Sequence, residues 1–151
     1  FFFILSSSQC ISDTITFKGL IFSNFWIKNV IANSNTTSGY IKIENINEKN
    51  ERLLSVESNF SKRTELHYMN IKNDIMIMKH LEDGVLIKSK SQINLKPRNF
   101  HIMFIDLTKS FNKTSNQKVK FNFENAGSII INMPIINKAK ISKDKKKHHH
   151  H

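Results

Sequence analysis

The sequence predicts an all-β domain, a sandwich or barrel of about eight to nine short strands. Three observations carry that reading. Runs rich in Ile, Val, Phe, Thr and Tyr recur along the chain, several of them alternating apolar and polar residues with period two. Polar punctuation rich in Asn, Ser, Lys and Asp separates these runs every 8–12 residues or so. No segment longer than a turn or two carries the 3.6-residue periodicity of an amphipathic helix.

Taken in order, "TITFKGLIFSNFWIK" (Thr14–Lys28) reads as one or two strands and "VIANSNTTSG" (Val30–Gly39) as a loop. "YIKIENI" (Tyr40–Ile46) alternates cleanly, and after the polar break "NEKNE" come "RLLSVES" and "TELHYM". "IMIMKHL" (Ile75–Leu81) follows a polar turn around Lys72, Asn73 and Asp74. "GVLIKS", "QINLKP", "NFHIMFID" (Asn99–Asp106), "KVKFNFEN" and "GSIIINMPI" (Gly127–Ile135) complete the series. In "NFHIMFID" the side chains of Phe100, Ile102 and Phe104 fall on one face, as a core stripe, and His101 and Met103 on the other.

At 151 residues, 39% of them hydrophobic and 12 of them Phe, the chain can bury one core of ordinary size. Its formal charge is +11, of which the segment Lys138–Lys147 contributes +5 through six lysines and one aspartate. That describes a mildly basic body with a basic tail. A sequence pI near 9.8 invites a nucleic-acid reading. Against it, the aromatics sit in core stripes, and no RNP motif, zinc finger or helix-turn-helix pattern is present. Hydrolase signatures are missing too: there is no nucleophile elbow, no His-Glu-x-x-His and no Gly-rich phosphate loop. The sequence therefore reads as non-enzymatic. A single cysteine, Cys10, excludes intrachain disulfides, cysteine-based zinc sites and a blue-copper thiolate centre.

The opening "FFFILSSSQCISD" resembles the end of a signal peptide, with Ser6-Ser7-Ser8 offering small residues for cleavage. Lipidation at Cys10 is the weaker version, because Gln9 stands where a small residue is wanted. No other run approaches the ~20 apolar residues of a membrane span. The expected organisation is a leader remnant over residues 1–12, one domain over 13–136 and a basic tail over 137–151. The terminal His148, His149, His150 and His151 are either a purification tag or a native extension able to bind Cu(II).

Outside the tail lie His67, His80 and His101, with Met69, Met76, Met78, Met103 and Met133. His67 and Met69 share a strand face, as do Met76 and Met78, and His101 and Met103. If Lys72-Asn73 forms a two-residue turn, His67 faces Met78 and Met69 faces Met76 across a hairpin. Thioether and imidazole donors with neither thiolate nor carboxylate suit Cu(I), a soft monovalent cation. The bland alternative is that the methionines fill core gaps and the histidines are hydrogen-bonded strand residues.

The spacing of His67, ten residues, Met78, twenty-two residues and then His101-Ile102-Met103 resembles the PCu(A)C family of periplasmic copper chaperones. "ELHYMNIKNDIMIM" is similar to its His-containing hairpin and "LKPRNFHIMFIDL" to its "LKPGGYHVM"-type strand. "FWIKNVIANSNTTSGYIKIEN" is similar to its first strands around a Trp, and "FENAGSIIINMPI" to its closing strand. The likeness covers roughly Ile21 to Ile135. One departure is Arg98-Asn99, where the family often has two glycines. The resemblance implies a cupredoxin-like Greek-key β-sandwich holding one Cu(I) through His67, Met78, His101 and Met103, with Met69 and Met76 as auxiliary neighbours. It also implies an exported or periplasmic monomer, with membrane association as a variant of that address. Delivery would be to the CuA centre of cytochrome c oxidase subunit II, alongside Sco-type proteins. Copper sequestration, and a metal-free exported interaction module, are the other readings.

Overall fold

The computed structural model describes residues 13–30, 32–108, 111 and 115–137. The leader reading of residues 1–12, Cys10 included, and the run His148–His151 lie outside the described residues. The described residues form twelve strands and no helix: β1 Ile15–Phe17, β2 Leu20–Lys28, β3 Thr36–Asn45, β4 Glu51–Ser58, β5 Ser61–Lys72, β6 Ile75–His80, β7 Val85–Ile87, β8 Ser91–Leu95, β9 Phe100–Leu107, β10 Gln117–Phe123, β11 Gly127–Met133 and β12 Ile135–Ile136. Among the described residues no helix is long and apolar enough to cross a membrane.

Local chemistry explains why the strands outnumber the apolar runs. Lys18 (φ 47°) and Gly19 (φ 76°) form a two-residue turn of the type that suits a hairpin, dividing the first run into β1 and β2. Pro134 has no N–H to continue a ladder, so the last run breaks into β11 and β12. The stretch expected as a loop, Val30–Gly39, is strand from Thr36 onward. There the partner strand overrides the Asn/Ser/Thr-rich composition, pairing Thr36 with Ile105 and Gly39 with Ile102.

Two sheets face each other. The larger runs β1-β2-β3-β9-β5-β6, with β12 alongside β2 and β8 alongside β3; the smaller runs β11-β10-β4-β7. All pairings are antiparallel except β12 with β2. The chain crosses repeatedly between sheets, which places β3 beside β9 and β4 beside β10, far apart in sequence. This is a Greek-key β-sandwich.

The core is a phenylalanine-rich layer between the sheets. Phe22 packs its ring 6.4 Å from Phe121 and 5.8 Å from Phe123, and Phe60 sits 4.7 Å from Phe104. In β2 the register shifts between Ser23 and Trp26, at Asn24 (φ 51°), so that Leu20, Phe22, Phe25 and Ile27 all become buried. Ile102 and Phe104 are fully buried, while Phe100 is half-buried and its ring lies 4.7 Å from Tyr68. The stripe expected of "NFHIMFID" is therefore present. Met133 is also fully buried and belongs to this core.

Gly39 lets β3 close on β9. A Cβ at that position would stand 2.8 Å from Phe104 Cε2, inside any tolerable contact. Gly39→Ala must move Phe104 or part the strands, and should lower unfolding free energy by about 1–3 kcal/mol in urea titrations. A variant as stable as the parent would show that this approach is not tight.

Candidate metal centre

The site begins with a turn. Asn73 (φ 52°) and Asp74 (φ 61°) both adopt left-handed backbone and connect Lys72 to Ile75, which pair across the hairpin. A type I′ turn needs positive φ at both central residues, which Asn and Asp tolerate and Lys does not favour. The turn is thus Asn73-Asp74, not Lys72-Asn73, and the register moves by two residues. His67 lies opposite His80, Met69 opposite Met78 and Met76 opposite Ile71. The expected pairings of His67 with Met78 and Met69 with Met76 are corrected accordingly; His67 and Met78 are diagonal neighbours on the same face.

On its other side β5 pairs with β9, setting His67 directly opposite His101 and Glu65 opposite Met103. Paired residues point to the same side of a sheet. Glu65, His67, Met69, Met78, His80, His101 and Met103, with Met76 on the same side of β6, therefore share one face. The other face sends Leu66, Ile102 and Phe104 into the core. Three imidazoles run in a row across three strands: the His67 ring centroid is 5.6 Å from that of His101 and 5.5 Å from that of His80. Exposure rises along the row, from 6% at His101 to side-chain values of 13% at His67 and 43% at His80. Met103 and Met69 are half-buried, whereas Met78 and Met76 are exposed on edge strand β6.

The hydrogen bonds fix the protons. His101 Nδ1 lies 2.9 Å from the Asn99 carbonyl, which can only accept, so Nδ1 carries the hydrogen and Nε2 keeps a lone pair. Burial holds the His101 pKa below the usual histidine value, against the carbonyl contact that raises it, and so favours the neutral ring. His67 Nε2 lies 2.7 Å from Glu65 Oε2 and donates to it, which in the neutral ring leaves the lone pair on Nδ1. That Nδ1 is buried and has no hydrogen-bond partner among the described residues. A buried acceptor left unmatched costs stability unless something satisfies it, and a metal ion is one group able to do so. The same bond from His67 is the main reason the Glu65 carboxyl titrates below its ordinary value. Ser38 Oγ donates to Met103 Sδ at 3.7 Å, holding the thioether in place.

The structure thus brings His67, His101 and Met103 together, with Met78 at the exposed side. It also adds two groups that reasoning from Met and His spacing missed, Glu65 and His80. The face that carries the donors is therefore not free of carboxylate. Both were legible by the period-two rule: Glu65 is two residues before His67 and His80 two after Met78, each necessarily on the same face. Among the described residues no trio of His, Cys, Asp or Glu alone is drawn together tightly enough to hold an ion as it stands.

Beyond β8, Lys96 to Asn99 form a turn closed by Asn99 N–H to Lys96 O, with Pro97 second and Arg98 (φ 67°) third. This is a type II turn, whose third position favours glycine, the residue the resembled family often has there. Arg98 sits in that backbone conformation at a cost.

Compared with solved structures, the fold is that of PCuAC domains. The copper-bound PCuAC domain from PmoF2 superposes with a TM-score of 0.70 at 15% identity, over 83% of this chain and 98% of that one. The apo PCuAC domain from PmoF1 gives 0.69 at 18% identity, over 83% and 99%. The solution structure of CuI-DR1885 from Deinococcus radiodurans gives 0.59 at 13%, over 87% and 83%. The sequence itself matches the model of the lipoprotein LpqE-like family over residues 20–135. The chain belongs to the LpqE-like family. No curated protein matches it significantly.

Replacing Arg98 by Gly should relieve the turn without touching a donor. Arg98→Gly is expected to raise stability by about 0.5–1 kcal/mol, since relief of left-handed strain exceeds the added freedom of the unfolded chain. Chemical denaturation of both forms checks this, and a destabilised variant would mean that the Arg98 side chain holds the turn.

Proposed function

We propose that this protein is an exported, non-enzymatic copper chaperone that carries one Cu(I) on the outer face of β5, β6 and β9. Its ligands are His67, Met78, His101 and Met103. The observation that carries this reading is the pair His67 and His101: adjacent rings, each with one nitrogen tied up as a donor. The remaining lone pairs, Nδ1 of His67 and Nε2 of His101, are the atoms a metal would take. Neutral imidazole and thioether donors match the softness of Cu(I), and structures of similar fold include a copper-bound PCuAC domain from PmoF2 and CuI-DR1885. Met78 is the ligand from the hairpin because it lies diagonal to His67, whereas Met76 is two residues nearer the tip.

Graded exposure suits a carrier. His101 anchors the ion from the buried side, and Met78 at 49% exposure lets an acceptor's donors replace it stepwise. The recipient in this proposal is the CuA domain of cytochrome c oxidase subunit II, with a Sco-type protein as co-worker. Support for export comes from the lipoprotein-like family and the leader-like first residues.

Anaerobic titration of Cu(I) against a chromophoric competitor should find one ion held by the domain. The double variant His101→Ala/Met103→Ala should bind it more than about 100-fold more weakly, Met78→Ala about 10-fold, and Met76→Ala as the parent does. Unchanged affinity in the double variant would remove the proposed site. Mixing the loaded protein with an apo CuA domain tests delivery, and failure of the CuA spectrum to develop would leave storage as its role.

A further inference from the structure

Glu65 and His80 stand beside His67 on the side of its Nε2 atom, away from the lone pair the proposed Cu(I) site uses. Glu65 Oε2 lies 2.7 Å from His67 Nε2 and 3.9 Å from His80 Nδ1. Donors bound at 2.0–2.1 Å around a tetrahedral ion stand about 3.4 Å apart, so these two separations bracket what a metal requires. The His67–His80 centroid distance of 5.5 Å likewise fits two imidazoles sharing one ion. One carboxylate and two imidazoles form a harder donor set than thioether and imidazole, matched to borderline divalent cations such as Zn(II) or Cu(II).

We propose that Glu65, His67 and His80 form a second, divalent-cation site that shares His67 with the Cu(I) site. The trio is not drawn together tightly enough to hold an ion as it stands, so assembly requires the His80 ring to close on Glu65. His80 is on the exposed edge strand, where its ring is free to swing toward Glu65, and the hydrogen now held between Glu65 and His67 Nε2 gives way to the ion. No electron transfer is involved; each ion binds in the state in which it arrives.

Sharing makes the two sites exclusive. A neutral imidazole has one acceptor nitrogen. Holding a divalent ion at Nε2 puts the His67 hydrogen on Nδ1, which removes the lone pair that Cu(I) would use. The ring therefore serves one ion at a time, with its tautomer deciding which. A divalent metal would then act on copper loading as a competitor, through a ligand pair that the His-and-Met spacing does not include.

The test uses the 151-residue chain with His148, His149, His150 and His151 each changed to Ser, so that tail imidazoles bind nothing. Zn(II) is titrated against a chromophoric zinc indicator, and Cu(I) is titrated anaerobically in parallel. One Zn(II) should bind, and its presence should weaken apparent Cu(I) affinity in proportion to its occupancy. His80→Asn and Glu65→Gln should each weaken Zn(II) by more than about 10-fold, and His80→Asn should leave Cu(I) within about 3-fold. Retained Cu(I) affinity in His80→Asn also reports an intact fold, whereas Glu65→Gln alters the partner that orients His67 and is read on Zn(II) alone.

Absence of Zn(II) binding, or equal Zn(II) affinity in parent and both variants, overturns the proposal. So does simultaneous binding of both ions without mutual weakening. Loss of Cu(I) binding in His80→Asn would put His80 in the soft site and equally overturn it. The competition arm rests on the proposed Cu(I) site, but the Zn(II) arm does not. If the parent fails to bind Cu(I), the copper function falls while the zinc titration still decides this inference.

Discussion

Everything at the candidate centre depends on how β5 registers against β9. Leu66 pairs with Ile102 and Thr64 with Phe104, so that Leu66, Ile102 and Phe104 are buried together on the core side. With the core side fixed, His67 and His101 can only meet on the opposite face. A slip by one residue would send imidazoles into a phenylalanine-rich layer and leucine into water, which the burial of these side chains forbids. The apolar core thus sets the geometry of the polar site without contributing a donor to it. Gly39 serves the same end one strand further on, since Ser38 can support Met103 only if β3 lies close against β9.

The outer face is chemically divided. Toward His101 it is buried and toward Met103 half-buried, with one hydroxyl steadying a sulfur and one backbone carbonyl orienting a ring. Toward Glu65 and His80 it is wetter and carries charge. His67 stands on the boundary, one nitrogen bonded to a carboxylate and the other buried without a partner among the described residues. The arrangement resembles the carboxylate–histidine pairs that orient metal ligands generally, where the carboxylate fixes the tautomer and raises the basicity of the ring.

Much of this was legible in the sequence, and what was not has physical causes. Alternation gave the strands, and the stripe Phe100, Ile102 and Phe104 gave the core face of β9. Likeness to a known family gave the sandwich and the spacing of four donors. Register was the weak point, because shifting the central pair of a two-residue turn by one position moves the cross-strand partner by two. The backbone preference of Asn73 and Asp74 for positive φ decides it, and nothing in the donor spacing can outweigh that preference to bring His67 opposite Met78. Thr36 to Gly39 are not legible as strand because their composition favours turns, and only the presence of β9 alongside makes them extended. Glu65 is easily passed over because a carboxylate is foreign to a soft-metal donor set. The strand period nevertheless puts it there.

Strand β6 has β5 as its neighbour along its whole length and is exposed at every residue. Beyond Tyr68, β5 no longer pairs residue for residue with β9; only the amide of Met69 still reaches the Asn99 carbonyl. The tip of the hairpin is therefore a two-stranded ribbon, which alone is marginally stable in water. Such a segment opens locally long before the sandwich unfolds. Met78, opposite Met69, lies at the base of this ribbon, whereas His80 is opposite His67 where β5 is still paired with β9, and His101 and Met103 belong to β9 itself. The face thus joins one donor at the edge of a two-stranded ribbon to others on the main sheet, so local opening of the hairpin would uncover the centre while the sandwich stays folded.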